Sequence, residues 1–167
     1  MAEIKRTFYD SGELKSECFE INGKKEGEYK EYYKSGFEST YDKSKYKNLS
    51  STDSFGQLWQ ICTYIDGKRN GEHKRYYQNG QLKIICNYVD DKKNGEYKEY
   101  YENGQLKVLC VYIDDKENGE YKSYHEDGQL WEICTYINDK GNVEYKEYDE
   151  DGNLIESYIY DNDIKID

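Results

Sequence analysis

Glycine returns every 24 residues through most of this chain, at Gly56, Gly80, Gly104, Gly128 and Gly152, and Gly12 precedes Gly36 by the same interval. Only the step from Gly36 to Gly56 is shorter, at 20. A second series, Gly27, Gly71, Gly95 and Gly119, follows the first by 15 residues, and Val143 takes its next place. A fixed period of this size signals a repeat array, in which each unit stacks on its neighbours.

One unit reads GEYKEYYENGQLK, from Gly95 to Lys107. Asn103-Gly104, between Tyr101 and Leu106, predicts a two-residue type I′ hairpin, because that turn needs φ > 0 at both central residues. The flanking runs YKEYY and LKVLCVYI are rich in strand-favouring aromatic and β-branched residues, and no apolar stripe of helical period lasts long enough to compete. Short polar loops such as Asp114–Gly119 join the other strand ends. The expected fold is all-β: an elongated, single-layer antiparallel β-meander, an open twisted sheet of about six or seven 24-residue hairpin repeats. A single repeat domain spans 1–167, with units centred near Gly12, Gly36, Gly56, Gly80, Gly104, Gly128 and Gly152 and an irregular unit at 37–55. A two-residue loop sets Tyr101 opposite Leu106, Glu99 opposite Val108 and Tyr97 opposite Cys110. Alternation then places Tyr97, Tyr101, Leu106, Val108, Cys110 and Tyr112 on one face, and Lys98, Tyr100, Lys107, Leu109, Val111 and Ile113 on the other.

Charge narrows the partners. The net charge of −11 repels phosphate backbones and anionic lipid, so nucleic acid and membrane are not expected partners and a basic protein is. Aromatic residues make up 16% of the chain, too many for a disordered one. The start, MAEIKRTFYDSGELK, lacks the apolar core of a secretion signal, and the chain is read as cytoplasmic.

Candidate chemistry dissolves into the period. Cys18, Cys62, Cys86, Cys110 and Cys134 each lie six residues after a repeat glycine, one ladder position counted five times. Neighbours on that ladder stand about 10 Å apart, beyond disulfide reach, and no C-x₂-C spacing suggests zinc. His73 takes the place that Tyr29, Tyr97, Tyr121 and Tyr145 hold elsewhere, and His125 that of Tyr33, Tyr77 and Tyr101. Neither has a Cys or Ser of unique position beside it to serve as a nucleophile. Asp90–Gly95 resembles a calcium loop only faintly, with Lys92 where an oxygen ligand belongs. The tail Asp161–Asp167 reads as a polar end that stops sheet growth. No catalytic residue, cofactor or metal is expected.

The phrases G-E-Y-K-E-Y-Y-E-N-G-Q-L-K and Y-x-D-G-K-x-N-G resemble the MORN-repeat variant, from about Phe8 to about Tyr160, and the bacterial YwqK-like antitoxin family that carries it. The resemblance implies an open antiparallel sheet and, for bacterial members, an antitoxin or immunity protein that binds a toxin. The chain departs from the pattern between Phe37 and Phe55. The partner-binding residues expected are Trp59, Tyr76, Glu99, Tyr100, Tyr124, Trp131 and Glu147, since Tyr and Trp supply interface energy at low entropic cost. The alternative is a structural scaffold or self-associating module, a homodimer that covers its apolar face with a second copy.

Overall fold

A computed structural model describes residues 1–34, 56–141, 143–161 and 164–166, which form one open antiparallel sheet with no helix among them. The strands run in chain order as β1 (Ala2–Phe8), β2 (Leu14–Ile21), β3 (Lys24–Tyr32), β4 (Leu58–Ile65), β5 (Lys68–Tyr76), β6 (Leu82–Val89), β7 (Lys92–Tyr100) and β8 (Leu106–Ile113). They continue as β9 (Lys116–Glu117), β10 (Gly119–Tyr124), β11 (Leu130–Ile137), β12 (Lys140–Gly141), β13 (Val143–Tyr148), β14 (Leu154–Asp161) and β15 (Ile164–Ile166). Each pairs with its chain neighbour, except that β9 and β10 both lie along β8, and β12 and β13 both along β11. This is the all-β meander that the period predicts.

The turns differ from expectation in kind. The type I′ turns sit at the opposite ends of the hairpins, where Asp114 and Asp115 both take positive φ (51° and 69°) between the paired Ile113 and Lys116. Asp90-Asp91, Asn138-Asp139, Asn22-Gly23 and Asp66-Gly67 share that left-handed geometry. At the Asn-Gly ends the loop is one residue longer. Tyr101 N–H donates to Gln105, Gly104 N–H donates back to Tyr101, and of the Asn-Gly pair only Gly104 is left-handed, at φ 87°. The Asn103 carboxamide accepts the Gln105 N–H at 2.8 Å, an Asx turn that holds Asn103 in place.

That extra residue becomes a β-bulge. Glu99 pairs with Val108 and Tyr97 with Cys110 as expected, but Tyr100, not Tyr101, pairs with Leu106. The register slips in the same way in the neighbouring hairpins, at Tyr76 and Leu82 and at Tyr124 and Leu130. The bulge moves Leu106 to the Lys98 face and brings Lys107 round to the Tyr97 face, where its ammonium meets Glu99 at 3.1 Å. The two residues thus exchange the faces that simple alternation assigns.

β3 pairs directly with β4, so one connection joins them. Where Tyr77 N–H bonds Gln81 four positions on, Tyr33 N–H bonds Gln57 twenty-four positions on. The strands on either side of the irregular segment are therefore neighbours in the sheet. Gly36 and the segment 37–55 lie outside the described residues. The tail does not stop the sheet but adds to it: Ile164–Ile166 pairs with β14, and Lys165 lies 4.0 Å over the Tyr158 ring and 3.0 Å from Glu156. The core is thin and linear, made of the five cysteines with Leu14, Tyr29, His73 and Tyr88.

Candidate interaction faces

Two faces of different chemistry result. The first is the cysteine face. In a central unit Cys110 is buried, flanked by the rings of Tyr97 and Tyr112 in an edge-on pair at 5.6 Å. Lys93 reaches across both, 5.3 and 4.3 Å from their centroids. The same arrangement recurs with Lys25 over Tyr29 and Tyr64, and with Arg69 over Tyr88. A ring face stabilises a cation that has lost part of its water. Burial, the largest cause, pushes the Tyr64 and Tyr121 hydroxyls up to about 12 and the Cys134 thiol up to about 11. None of these groups is a nucleophile at neutral pH.

Side chains on this face also tie each unit to the next. The hydroxyls of Tyr9, Tyr33, Tyr77 and Tyr101 donate to the backbone carbonyls of Tyr32, Tyr76, Tyr100 and Tyr124, at 2.7–2.9 Å. His125 continues the row, its Nε2–H donating to the Tyr148 carbonyl at 3.1 Å. Asp149 follows in register but accepts, taking the N–H groups of Asp151 and Asn153 at 3.0 and 2.8 Å. At the opposite edge the Lys93 N–H donates to the Asp115 carboxylate at 2.7 Å, and the Asp115 N–H returns to the Lys93 carbonyl at 3.0 Å. Arg69 with Asp91, and Glu117 with Asp139, repeat that exchange. The acidic residues with a faint likeness to a calcium loop thus cap neighbouring backbone.

His73 and Cys86 are a juxtaposition that sequence reasoning missed. They pair across β5 and β6, and the Cys86 thiol lies 3.8 Å from Nδ1 while Nε2–H donates to Gln60 at 3.1 Å. A thiol beside an imidazole suggests a nucleophile and its base. Their environment acts against it: burial first, with Arg69 and Arg75 adding to it, lowers His73 to about 4, and burial raises the Cys86 thiol. Both members are therefore neutral, the reverse of an activated thiolate.

The second face carries ion pairs. Each unit places Glu and Lys two residues apart on one strand, as in Glu96 and Lys98 at 2.7 Å, and Glu120 and Lys122 at 2.5 Å. Glu28 with Lys30, Glu72 with Lys74, and Glu144 with Lys146 complete five such pairs among the described residues. Between these strands run apolar ones: Ile65, Val89, Ile113 and Ile137 line up along the sheet, each 47–52% exposed. The Glu-x-Lys signal was present in every GEYK phrase.

The seven expected partner residues divide between the faces. Trp59, Glu99, Trp131 and Glu147 lie on the cysteine face; Tyr76, Tyr100 and Tyr124 lie on the ion-pair face, opposite Leu82, Leu106 and Leu130. The structure joins Trp131 and Glu147, whose indole N–H and carboxylate meet at 3.2 Å, and sets the Trp131 and His125 rings in tilted contact at 5.7 Å. Trp59 sits apart, beneath the Arg75 guanidinium at 4.9 Å and beside Tyr33. Arg75 occupies the register place that Glu99 and Glu147 hold in their own units. Its Nε is buried without a partner. Much of the acidity lies on the turns, with Asp90, Asp91, Asp114 and Asp115 along one edge and Glu126, Asp127, Glu150 and Asp151 along the other.

A scan against protein families matches the MORN repeat variant at residues 69–90, 93–114, 117–138 and 142–162, more than half of the chain. A search of curated proteins finds no match.

Proposed function

This chain belongs to the MORN repeat variant family, and on that premise we propose that it is a non-enzymatic, protein-binding ribbon acting as an antitoxin or immunity protein, which neutralises a cognate toxin by direct binding. The partner is a toxin with a basic surface, and the cysteine face receives it. The observation that carries this reading is the cluster on β11 and β13. There Trp131, 40% exposed and in tilted ring contact with His125, stands among Glu132, Glu147 and, on the adjoining β14, Glu156. An ordered aromatic anchor ringed by carboxylates suits a basic surface: the ring supplies contact energy, the charges steer encounter and reject acidic competitors. Five free thiols, one per repeat position, fit a reducing compartment, and the cytoplasm is where this binding would occur.

The test is co-expression of the chain with the product of the reading frame beside its own gene. The intact chain restores growth and co-purifies with that product; Trp131→Ala combined with Glu147→Lys removes both effects while the far-ultraviolet spectrum is kept. Lack of rescue by the intact chain, with no bound partner in a native pull-down, overturns the reading.

A further inference from the structure

The ion-pair face is ordered in rows that run across the repeats. On β7 and β8 it presents four parallel rows, each continued by the units on either side. From the Asp-Asp turns inward these are Ile113 with Lys116, then Glu96 with Val111, then Lys98 with Leu109, then Tyr100 with Leu106; the outer lysines of this kind, Lys68 and Lys92, are paired with the turn carboxylates of Asp90 and Asp114. The rows recur as Val89, Glu72, Lys74 with Ile85, and Tyr76 with Leu82, and again as Ile137, Glu120, Lys122 with Ile133, and Tyr124 with Leu130. Glu72, Glu96 and Glu120 are matched one for one by Lys74, Lys98 and Lys122, so these two rows balance in a chain whose net charge is −11. A basic partner gains nothing from a balanced face. A half-exposed row of branched aliphatic residues running along it is the kind of apolar surface that marks an interface.

Charge chooses the geometry. A two-fold axis parallel to the strands would lay each row on itself, Glu on Glu and Lys on Lys. A two-fold axis along the ribbon, midway between the glutamate and lysine rows, lays each Glu row on the partner's Lys row. The same operation sets the Ile113 row against the Tyr100 and Leu106 row. We propose that two copies associate through the ion-pair face, face to face and pointing the same way, with the apolar rows supplying the contact energy and the crossed Glu and Lys rows setting the register. The inference goes beyond the toxin reading, since it occupies the other face and needs no toxin.

Sedimentation equilibrium of the isolated full-length chain tests it, with urea midpoints and far-ultraviolet spectra confirming that each variant is folded. The wild type is dimeric at micromolar concentration. The triple variant Lys74→Glu, Lys98→Glu, Lys122→Glu is monomeric, and so is Glu72→Lys, Glu96→Lys, Glu120→Lys. The second triple is the stricter one: it moves the net charge from −11 to −5, so general repulsion cannot explain its loss of association. An equimolar mixture of the two triples regains the dimer, because in the three substituted units these rows now carry only acids on one copy and only bases on the other. Donor and acceptor dyes on the two N-termini of the wild-type dimer transfer energy strongly. A monomeric wild type, a dimer indifferent to both triples, a mixture that stays monomeric, or transfer only between an N-terminus and a C-terminus overturns the proposal. If Ile113→Lys unfolds nothing yet leaves the wild-type dimer intact, the face is likewise wrong. None of these readings depends on growth rescue, so this proposal and the antitoxin reading can fail separately.

Discussion

His73 is the residue at which acid should be felt first. Its imidazole takes a proton near its ordinary value of 6.5 in the unfolded chain but only at about 4 in the folded one, because burial and then the Arg69 and Arg75 charges disfavour the cation. Between those values the unfolded state binds more protons, so folded stability is full above about 6.5 and is lost as pH falls through about 4. The loss approaches about 3 kcal/mol at the low end, at 1.36 kcal/mol per pKa unit. His73→Tyr, which restores the residue of the corresponding strands, should flatten this part of the curve; urea midpoints measured from pH 7 to 4 decide it. An unchanged slope would mean that the group is hydrated in solution. The sequence placed His73 in a tyrosine ladder correctly. The register that sets Tyr97 opposite Cys110 also implied Cys86 opposite His73, but it could not show how far the ring is buried, and the lowered pKa depends on that burial and on two arginines from the same strand.

At the scale of the element, the turns divide the work. Gly104 alone among the loop residues Glu102, Asn103 and Gly104 is left-handed, so Gly104→Ala should cost roughly 1–2 kcal/mol, the penalty of a Cβ in that region. Gly104→Asn should cost less, since Asn tolerates the conformation. Tyr101→Phe keeps the ring but deletes the 2.7 Å hydroxyl bond to the next unit, a loss of about 1 kcal/mol. Chemical denaturation of the three variants ranks them, and a Tyr101→Phe protein as stable as wild type would show the bond to be replaced by water. Two-residue turns with φ > 0 were legible as a class, but Asn-Gly drew the prediction to the wrong end. Asp114 and Asp115 adopt the rarer geometry because each turn gains hydrogen bonds from its neighbour, an inter-repeat stabilisation that a local reading of one hairpin lacks. The bulge that exchanges Leu106 and Lys107 between faces was hidden for the same reason: one extra loop residue is invisible until the partner strand is placed.

Across the described residues, strands pair only with their neighbours in the sheet, so stability should grade along the ribbon instead of being shared evenly. Amide hydrogen exchange should be slowest in β6, β7 and β8 and fastest in β1 and β15; uniform protection would mean that the array unfolds as one cooperative block. The meander, the two-strand unit and the ladders were all readable from the 24-residue period. The division of the expected partner residues between two surfaces was not, since aromatic content says nothing of which side a ring occupies. The row of Tyr9, Tyr33, Tyr77, Tyr101 and His125 has a final consequence. Every member donates a hydrogen bond forward to the succeeding module, whereas Asp149, in the same register, only accepts. The array consequently has a direction, like a zip with a stop: tandem duplication adds a fully tethered module only ahead of Asp149, and a copy inserted behind it starts with its first link missing.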